Sequence, residues 1–523
     1  MYNVSNKPSL IVNAMSNWIT LVINVLIGFL LTPYIIRHID KAGYGVWTLV
    51  GSVIGYFGVM RMGIGASLMR YIPYYIGKNE IDSAIGTFST GAAYFFGVAL
   101  IILGVSYFGA EEIAAFFNAG DEFVTLIKIF GVATSIGCIS ILLDAVLRSR
   151  ERFVHANCIQ ISAAVLRGGG IFGVLHAGYG LIGMGMVVVF RQIFVLFCSF
   201  LVLARTCPEI KFSIRCIRFR YFGELFWFGT ASLLTTLGFL LKFDADKIIV
   251  GHFMDMESVG IYSVATILML YYRNFIGAGS RVLRPRFAYL DGRDSSTDNI
   301  RLFLLGTKAN AWLASLGVAI VVLVGPSFIR LWVGHGFEQA YVLLLILACG
   351  HLFDQSQTVS VALLGGHGKQ GVLAYFMIAE GFAAVVLAII LLQFLGLRGV
   401  ALGFVLAPLI SQVLIRPTYV CRHIGIRLAE YYRSGVVQSW FMAAVPLLYM
   451  VFFPKKRDLF ISWWSLIRAT LVLVLIYISL SYFIFLNSNE RKTVTKKIQE
   501  YISKSYRIFS RRSFSEAAHK DNG

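Results

Sequence analysis

Apolar runs of roughly membrane-spanning length recur along the whole chain, separated by short polar bends. They lie near 9–31, 45–66, 84–108, 123–147, 157–176, 180–204, 222–242, 259–280, 303–325, 339–364, 371–396, 399–419, 436–453 and 464–486. A helix needs about 20 apolar residues to cross about 30 Å of hydrocarbon, so the pattern predicts about fourteen transmembrane helices and an all-α membrane protein. The first run has no compact basic start and no small-residue cleavage site, which marks it as a retained helix and not a signal peptide. An even number of crossings puts both termini on one side.

The runs repeat a common grammar. Gly45-Val46-Trp47 opens one helix and Gly260-Ile261-Tyr262 opens its counterpart, and the bends Gly77-Lys78-Asn79 and Gly292-Arg293-Asp294 close them, each pair displaced by 215. Ala145-Val146-Leu147 matches Ala362-Leu363-Leu364 at 217, and Gly180-Leu181-Ile182 matches Gly399-Val400-Ala401 at 219. A slow drift of this kind is the mark of a duplicated bundle with small insertions, an arrangement found in transporters that move substrate between their halves. The expected division is an N-terminal lobe over 1–220, a C-terminal lobe over 221–434, two extra helices over 435–486 and a basic tail over 487–523.

Charge adds direction. Alternate connections are basic: Arg148, Arg150 and Arg152; Arg205, Lys211, Arg215, Arg218 and Arg220; Arg281, Arg284, Arg286 and Arg293; Arg416, Arg422, Arg427 and Arg433. The positive-inside rule assigns these to the cytoplasm, together with both termini, while Glu111, Glu112, Asp121 and Glu122 suit the outer face. Lys455-Lys456-Arg457 falls outside by helix parity and is the exception. With 58% hydrophobic residues, 14% charged residues and a mean hydropathy of +0.74, the medium is a bilayer. Most of the +19 net charge is then topological, and no nucleic-acid module or partner is expected. The tail places Val494, Ile498, Tyr501 and Ile502 near helical spacing among lysines and arginines, fitting either a basic helix on anionic membrane lipids or a disordered tail.

Catalytic and metal signatures are lacking. The seven cysteines have no paired metal spacing, and the nine histidines form no H-E-x-x-H cluster, so neither a metal site nor a disulfide framework is expected. Gly365-Gly366-His367-Gly368-Lys369 lacks phosphate-loop spacing and reads as a turn. Gly168-Gly169-Gly170 reads as a helix-packing surface, with local unwinding as the alternative.

Ionisable residues deep in the bilayer are expensive and mark function or an ion pair. Arg167, Arg191 and Arg273 lie about ten, eleven and fourteen residues into the fifth, sixth and eighth helices, too deep to reach headgroups easily. Arg61 and Lys308 are intermediate. Lys128, Lys242 and Arg468 fall near helix ends, where snorkelling to the headgroups is expected. The deep carboxylates Asp354 and Glu380, in the tenth and eleventh helices, suit ion pairing or proton exchange.

Several stretches resemble one known family. They are Thr32-Pro33-Tyr34-Ile35-Ile36, Ala42-Gly43-Tyr44-Gly45-Val46-Trp47, Met62-Gly63-Ile64-Gly65-Ala66 and Arg70-Tyr71-Ile72-Pro73, with Asp246-Lys247-Ile248-Ile249-Val250-Gly251 and Val259-Gly260-Ile261-Tyr262-Ser263 in the second lobe. In this order they resemble the Wzx-type polysaccharide and O-antigen flippases of the multidrug/oligosaccharidyl-lipid/polysaccharide (MOP) exporter superfamily, over nearly the whole chain to about 486. The resemblance implies a MATE-like fold: two pseudo-symmetric six-helix lobes around a central cavity, plus two C-terminal helices. It further implies alternating-access movement of an undecaprenyl-pyrophosphate-linked oligosaccharide from the cytoplasmic to the periplasmic leaflet of the bacterial inner membrane. No enzymatic step and no cofactor is implied, coupling to H+ or Na+ is allowed, and other polysaccharide-assembly proteins are potential partners. Arg61 departs from the acidic or polar residue common before the family glycine.

A pyrophosphate and a polar glycan need a wet, cationic route through hydrocarbon. The expected substrate-binding cations are Arg61 and Arg273, facing each other across the cleft, then Arg167, Arg191 and Lys308; Asp354 and Glu380 are the candidates for ion coupling or ion pairing. Two alternatives are a cation-coupled multidrug exporter of the same superfamily and an integral-membrane glycan polymerase or ligase. The first lacks a deep acidic group in helices one to three, and the second lacks a large outer loop.

Overall fold

The computed structural model describes residues 10–61, 63–293, 295–452, 460–484 and 491. The Lys455-Lys456-Arg457 turn and, apart from Arg491, the tail beyond 487 lie outside the described residues. Those residues form helices joined by short turns, and no strand occurs among them.

The described residues form fourteen helical segments, most of them long and apolar enough to cross a membrane. They are α1 (10–39), α2 (41–61, continuing as Ile64–Gly77), α3 (Ile81–Phe108), α4 (Asp121–Ser149), α5 (Phe153–His176), α6 (Gly180–Thr206) and α7 (Phe219–Phe243, continuing as Ala245–Phe253). Then follow α8 (Met256–Asp291), α9 (Ser296–Val333), α10 (Glu338–Ser356, continuing as Thr358–Gly366), α11 (Gln370–Leu395), α12 (397–424), α13 (Val437–Phe452) and α14 (Trp463–Ile484). Between α1 and α2 the helical hydrogen bonding is nearly unbroken, and the bend is made by one residue, Asp40, with φ of 59° and ψ of −172°. Its carboxylate accepts from the Gly43 backbone N–H, an Asx-type cap that restarts the helix.

The helices outrun the hydropathy pattern at the end carrying the basic segments. Helix α8 has 36 residues and α9 has 38, lengths of about 55 Å against the 30 Å needed. The stretch 281–301 expected as a basic loop is therefore mostly helix, with Arg281, Arg284 and Arg286 on the last turns of α8. Charged residues there lie beyond the apolar length and do not end a helix. The Gly168-Gly169-Gly170 run stays helical: a Cβ on Gly170 would approach Val187 to 2.8 Å and one on Gly168 would approach Ile27 to 3.0 Å, so packing is its role. Gly365–Lys369 is a helix end and turn, with Gly368 at φ 72°.

The buried apolar side chains divide in an informative way. One cluster runs across both lobes at the end of the acidic 110–122 segment, joining Leu49, Val50, Ala110, Phe117 and Ile171 to Val259, Tyr262, Ile329 and Val400. Toward the basic end there are two cores. One belongs to the first lobe and contains Ile64, Leu68, Phe88 and Val146. The other belongs to the second and contains Phe287, Phe303, Leu363 and Tyr431. The lobes share one core at the acidic end, whereas at the basic end their cores are distinct and the start of α7 packs against α2 and α3, with the Ser67 hydroxyl donating to the Leu225 carbonyl at 2.7 Å. Helices α13 and α14 lean on α9, where Trp312 Nε1 donates to Ser481 and the ring of Phe328 meets Trp463.

Candidate functional site: the cleft between the lobes

The join at the acidic end is built from the sequence repeat itself. A Cβ on Gly45 would lie 1.8 Å from the Met256 carbonyl oxygen, and one on Gly260 would lie 2.1 Å from the Lys41 carbonyl oxygen. The two contacts are reciprocal, each glycine covering the carbonyl four residues before the other. Only a residue without a Cβ permits this approach of α2 and α8. One turn deeper the hydroxyls of Thr48 and Ser263, also 215 apart in sequence, lie 2.8 Å from each other. Lys41 Nζ donates to Glu257 at 3.0 Å at the rim. The pseudo-twofold axis of the duplication passes through this contact.

Below it α2 and α8 part and a cavity of about 370 Å³ opens between the lobes. Trp47, Thr48, Ser52 and Phe130 line its first-lobe side, and Phe239, Asp244, Lys247, Thr266 and Arg273 its second-lobe side. Lys247 Nζ donates to Asp244 at 3.1 Å where α7 breaks. Arg273, with its guanidinium carbon 3.9 Å from the centre of the Phe243 ring, also lines a second cavity of about 350 Å³ between α7, α8, α10 and α11. Arg281, Arg284 and Arg416 lie along that second cavity toward the basic end.

Against its wall stands a buried ion network. Lys242 Nζ donates to Asp354 Oδ1 at 2.5 Å and to Glu380 Oε2 at 2.7 Å; Arg416 donates to Glu380 Oε1 at 2.5 Å. Ser411 and Gln412, on a π-helical turn at Ser411–Ile415, donate to Glu380 and Asp354. Two cations thus face two carboxylates on four helices, and Asp354 and Glu380 are both ion-paired. Two members overturn their sequence reading. Lys242 does not snorkel, because α7 continues past it through the Asp244 break to Phe253 and leaves it buried mid-helix. Arg416 is not a loop residue, because α12 carries on to Ile424 and the π-turn aims its guanidinium inward. A carboxylate on another helix was the one available signal for either.

The first lobe holds its cations differently. Arg167 lies near the Tyr271 hydroxyl of α8 and near Arg191, whose guanidinium donates to Gln192 Oε1 at 2.7 Å and to Gln160 Oε1 at 3.1 Å. Neither Arg167 nor Arg191 forms a salt bridge among the described residues, and both keep a buried, unbonded Nε. Arg61 and Arg273 are not brought together. The helix of α2 gives way to a 3-10 turn at Gly58–Arg61, and Gly63, at φ 64°, tucks beneath the Gly229 carbonyl. Arg61 is thereby turned toward the Cys138 thiol on α4, and it is not among the residues lining either cavity. Lys308 is buried within α9, also outside both linings. Trp47, Asp244 and Lys247 line the cleft without having been candidates for the site in the sequence, where Trp47 and Lys247 stood only in repeat and family motifs and a local Asp-Lys pair looks ordinary.

Comparison with known proteins agrees with this architecture. A candidate O-antigen transporter from Shigella flexneri is 22% identical over 428 residues, covering 79% of this chain and 98% of its own length. The membrane protein EpsK of Bacillus subtilis is 20% identical over 512 residues, covering 94% of this chain and 98% of its own. Among solved structures, the lipid II flippase MurJ in an inward closed conformation superposes with a TM-score of 0.67 at 14% identity, covering 90% of this chain and 99% of its own. A multidrug-resistance MATE transporter of the MOP superfamily in an inward-facing conformation also gives 0.67 at 14%, covering 81% and 96%. The polysaccharide biosynthesis protein profile matches residues 35–299, just over half of the sequence, and with the MOP-type two-lobe fold in place the chain belongs to the polysaccharide biosynthesis protein family.

Proposed function

We propose that this protein is a flippase that carries an undecaprenyl-pyrophosphate-linked oligosaccharide repeat unit from the cytoplasmic to the periplasmic leaflet of a bacterial inner membrane. The observation that carries the reading is the pair of cation-lined cavities beneath the Gly45–Gly260 contact: one between the lobes lined by Lys247 and Arg273, the other running toward the basic end along Arg281 and Arg284. By the positive-inside rule the basic end faces the cytoplasm, where such a substrate is assembled. Residues 1–220 and 221–434 are the two moving lobes. Parting the Gly45–Gly260 and Thr48–Ser263 contacts while the basic end closes exposes the cleft to the other side, and guanidinium forks neutralise phosphate oxygens that hydrocarbon cannot solvate.

The relatives and the MurJ superposition support lipid-linked glycan as the cargo class. A drug exporter of the same fold needs a free carboxylate for an organic cation, whereas Asp354 and Glu380 are both occupied by Lys242 and Arg416. Their pairing favours the ion-pair role over the coupling role.

The test is reconstitution. Proteoliposomes carrying the full chain and a fluorescent undecaprenyl-pyrophosphate oligosaccharide should show protein-dependent transfer between leaflets, and Arg273→Gln should impair it strongly at unchanged abundance, with Arg273→Lys intermediate. Transfer no faster than in protein-free vesicles overturns the flippase reading.

A further inference from the structure

The cleft cavity carries a feature that phosphate recognition does not use. Among the half-buried and buried tryptophans, Trp312, Trp332 and Trp440 each spend the indole N–H on a neighbour, donating to Ser481, the Phe29 carbonyl and Ser356. Trp47 lines the cavity between the lobes and makes no hydrogen bond among the described residues. Its ring is held edge-on by Phe130 at 5.1 Å between centroids and 77° between planes. The repeat counterpart, Tyr262, is fully buried in the core. Packing therefore does not require an exposed aromatic face at this place in the fold; of the two equivalent positions, Trp47 lines the cavity and Tyr262 does not.

The opposite wall supplies what an aromatic face lacks. Asp244 accepts and Lys247 donates within one pair, and the hydroxyl of Thr266 lies on the same side. A pyranose ring is amphipathic in the matching sense: one face of C–H bonds, weakly positive, suits the negative face of an indole, while the hydroxyls around its edge both donate and accept. A cavity of about 370 Å³ lies in the range of sites that enclose a small ligand.

Resting on the flippase reading above, we propose that Trp47 is the glycan-stacking residue of this transporter, holding a sugar ring of the repeat unit against the Asp244–Lys247 pair. The diphosphate lies toward the guanidinium groups on the basic side of this cavity. Trp47 thus sets which glycans the cleft accepts, independently of the phosphate contacts.

The experiment measures binding to the full-length protein in nanodiscs of two separate probes: the free oligosaccharide released from its lipid carrier, and inorganic pyrophosphate. Trp47→Leu keeps apolar bulk and removes the ring; Trp47→Phe keeps a ring. Trp47→Leu should weaken oligosaccharide affinity about fivefold to tenfold and Trp47→Phe about threefold or less, with pyrophosphate affinity unchanged in both. Unaltered oligosaccharide binding in Trp47→Leu overturns the assignment, as does equal loss in both variants or parallel loss of pyrophosphate, which would mark a packing role. Should Trp47→Leu fail to accumulate, Thr266→Val on the facing wall is the second variant; it should weaken the oligosaccharide alone, and wild-type oligosaccharide affinity there overturns the sugar site. Wild-type protein that binds pyrophosphate and no oligosaccharide sinks this inference and leaves the flippase reading standing; wild-type protein that binds neither sinks both.

Discussion

The two lobes treat buried charge in opposite ways. In the second, Lys242 and Arg416 meet Asp354 and Glu380, and the cluster is close to neutral and hydrogen-bonded on every carboxylate oxygen. In the first, Arg167 and Arg191 stand near each other with glutamine amides and a tyrosine for company and no carboxylate among the described residues. Ion pairs of the first kind tie α7, α10, α11 and α12 together. Like charges of the second kind are held at a cost that an arriving anion relieves. One copy of the duplicated bundle has closed its charge internally, and the other leaves Arg167 and Arg191, which line neither cavity, without a carboxylate among the described residues.

Joining the lobes covalently sharpens the contrast most. In a background without the seven native cysteines, Thr48→Cys with Ser263→Cys places two thiols where hydroxyls now lie 2.8 Å apart. Oxidation should abolish transport and reduction should restore it, read by leaflet transfer in proteoliposomes. Full transport by the cross-linked protein would show that this contact never opens.

Breaking the neutral cluster comes next. Asp354→Asn or Glu380→Gln leaves a buried cation uncompensated and should cost about 3–5 kcal/mol, seen as a lower unfolding midpoint in detergent, whereas Lys242→Met with Asp354→Asn together should recover much of it. Wild-type stability in the single variants would mean the cluster is not structural.

The first-lobe arginines should respond in the other direction. Arg167→Gln and Arg191→Gln should leave the midpoint near wild type and weaken the lipid-linked substrate by about 1.5–3 kcal/mol each, roughly tenfold or more. Destabilisation as large as that of the second-lobe variants would erase the distinction between the lobes.

The smallest effect is on pH. If Asp354 serves as an ion-pair member, the Lys242→Met, Asp354→Asn double variant keeps the wild-type pH profile of transport. A flattened profile would return proton coupling to that carboxylate.

Hydropathy alone indicated a bundle of about fourteen helices, and the 215-residue displacement indicated the duplication, because both depend on local apolar length and on a repeated order of small and aromatic residues. The same displacement marked Gly45 and Gly260. That their backbones touch, and that Thr48 meets Ser263 on the axis, was decided only when the lobes came together. Lys242 and Arg416 show the limit plainly. Read along the chain they are cations near the ends of apolar runs, and such cations snorkel. A helix that continues through Asp244 and a π-turn at Ser411–Ile415 instead hold them inside, beside carboxylates more than thirty residues away. Charge pairing across helices depends on rotation about each helix axis, which the breaks and bulges set and which linear apolar spacing does not encode.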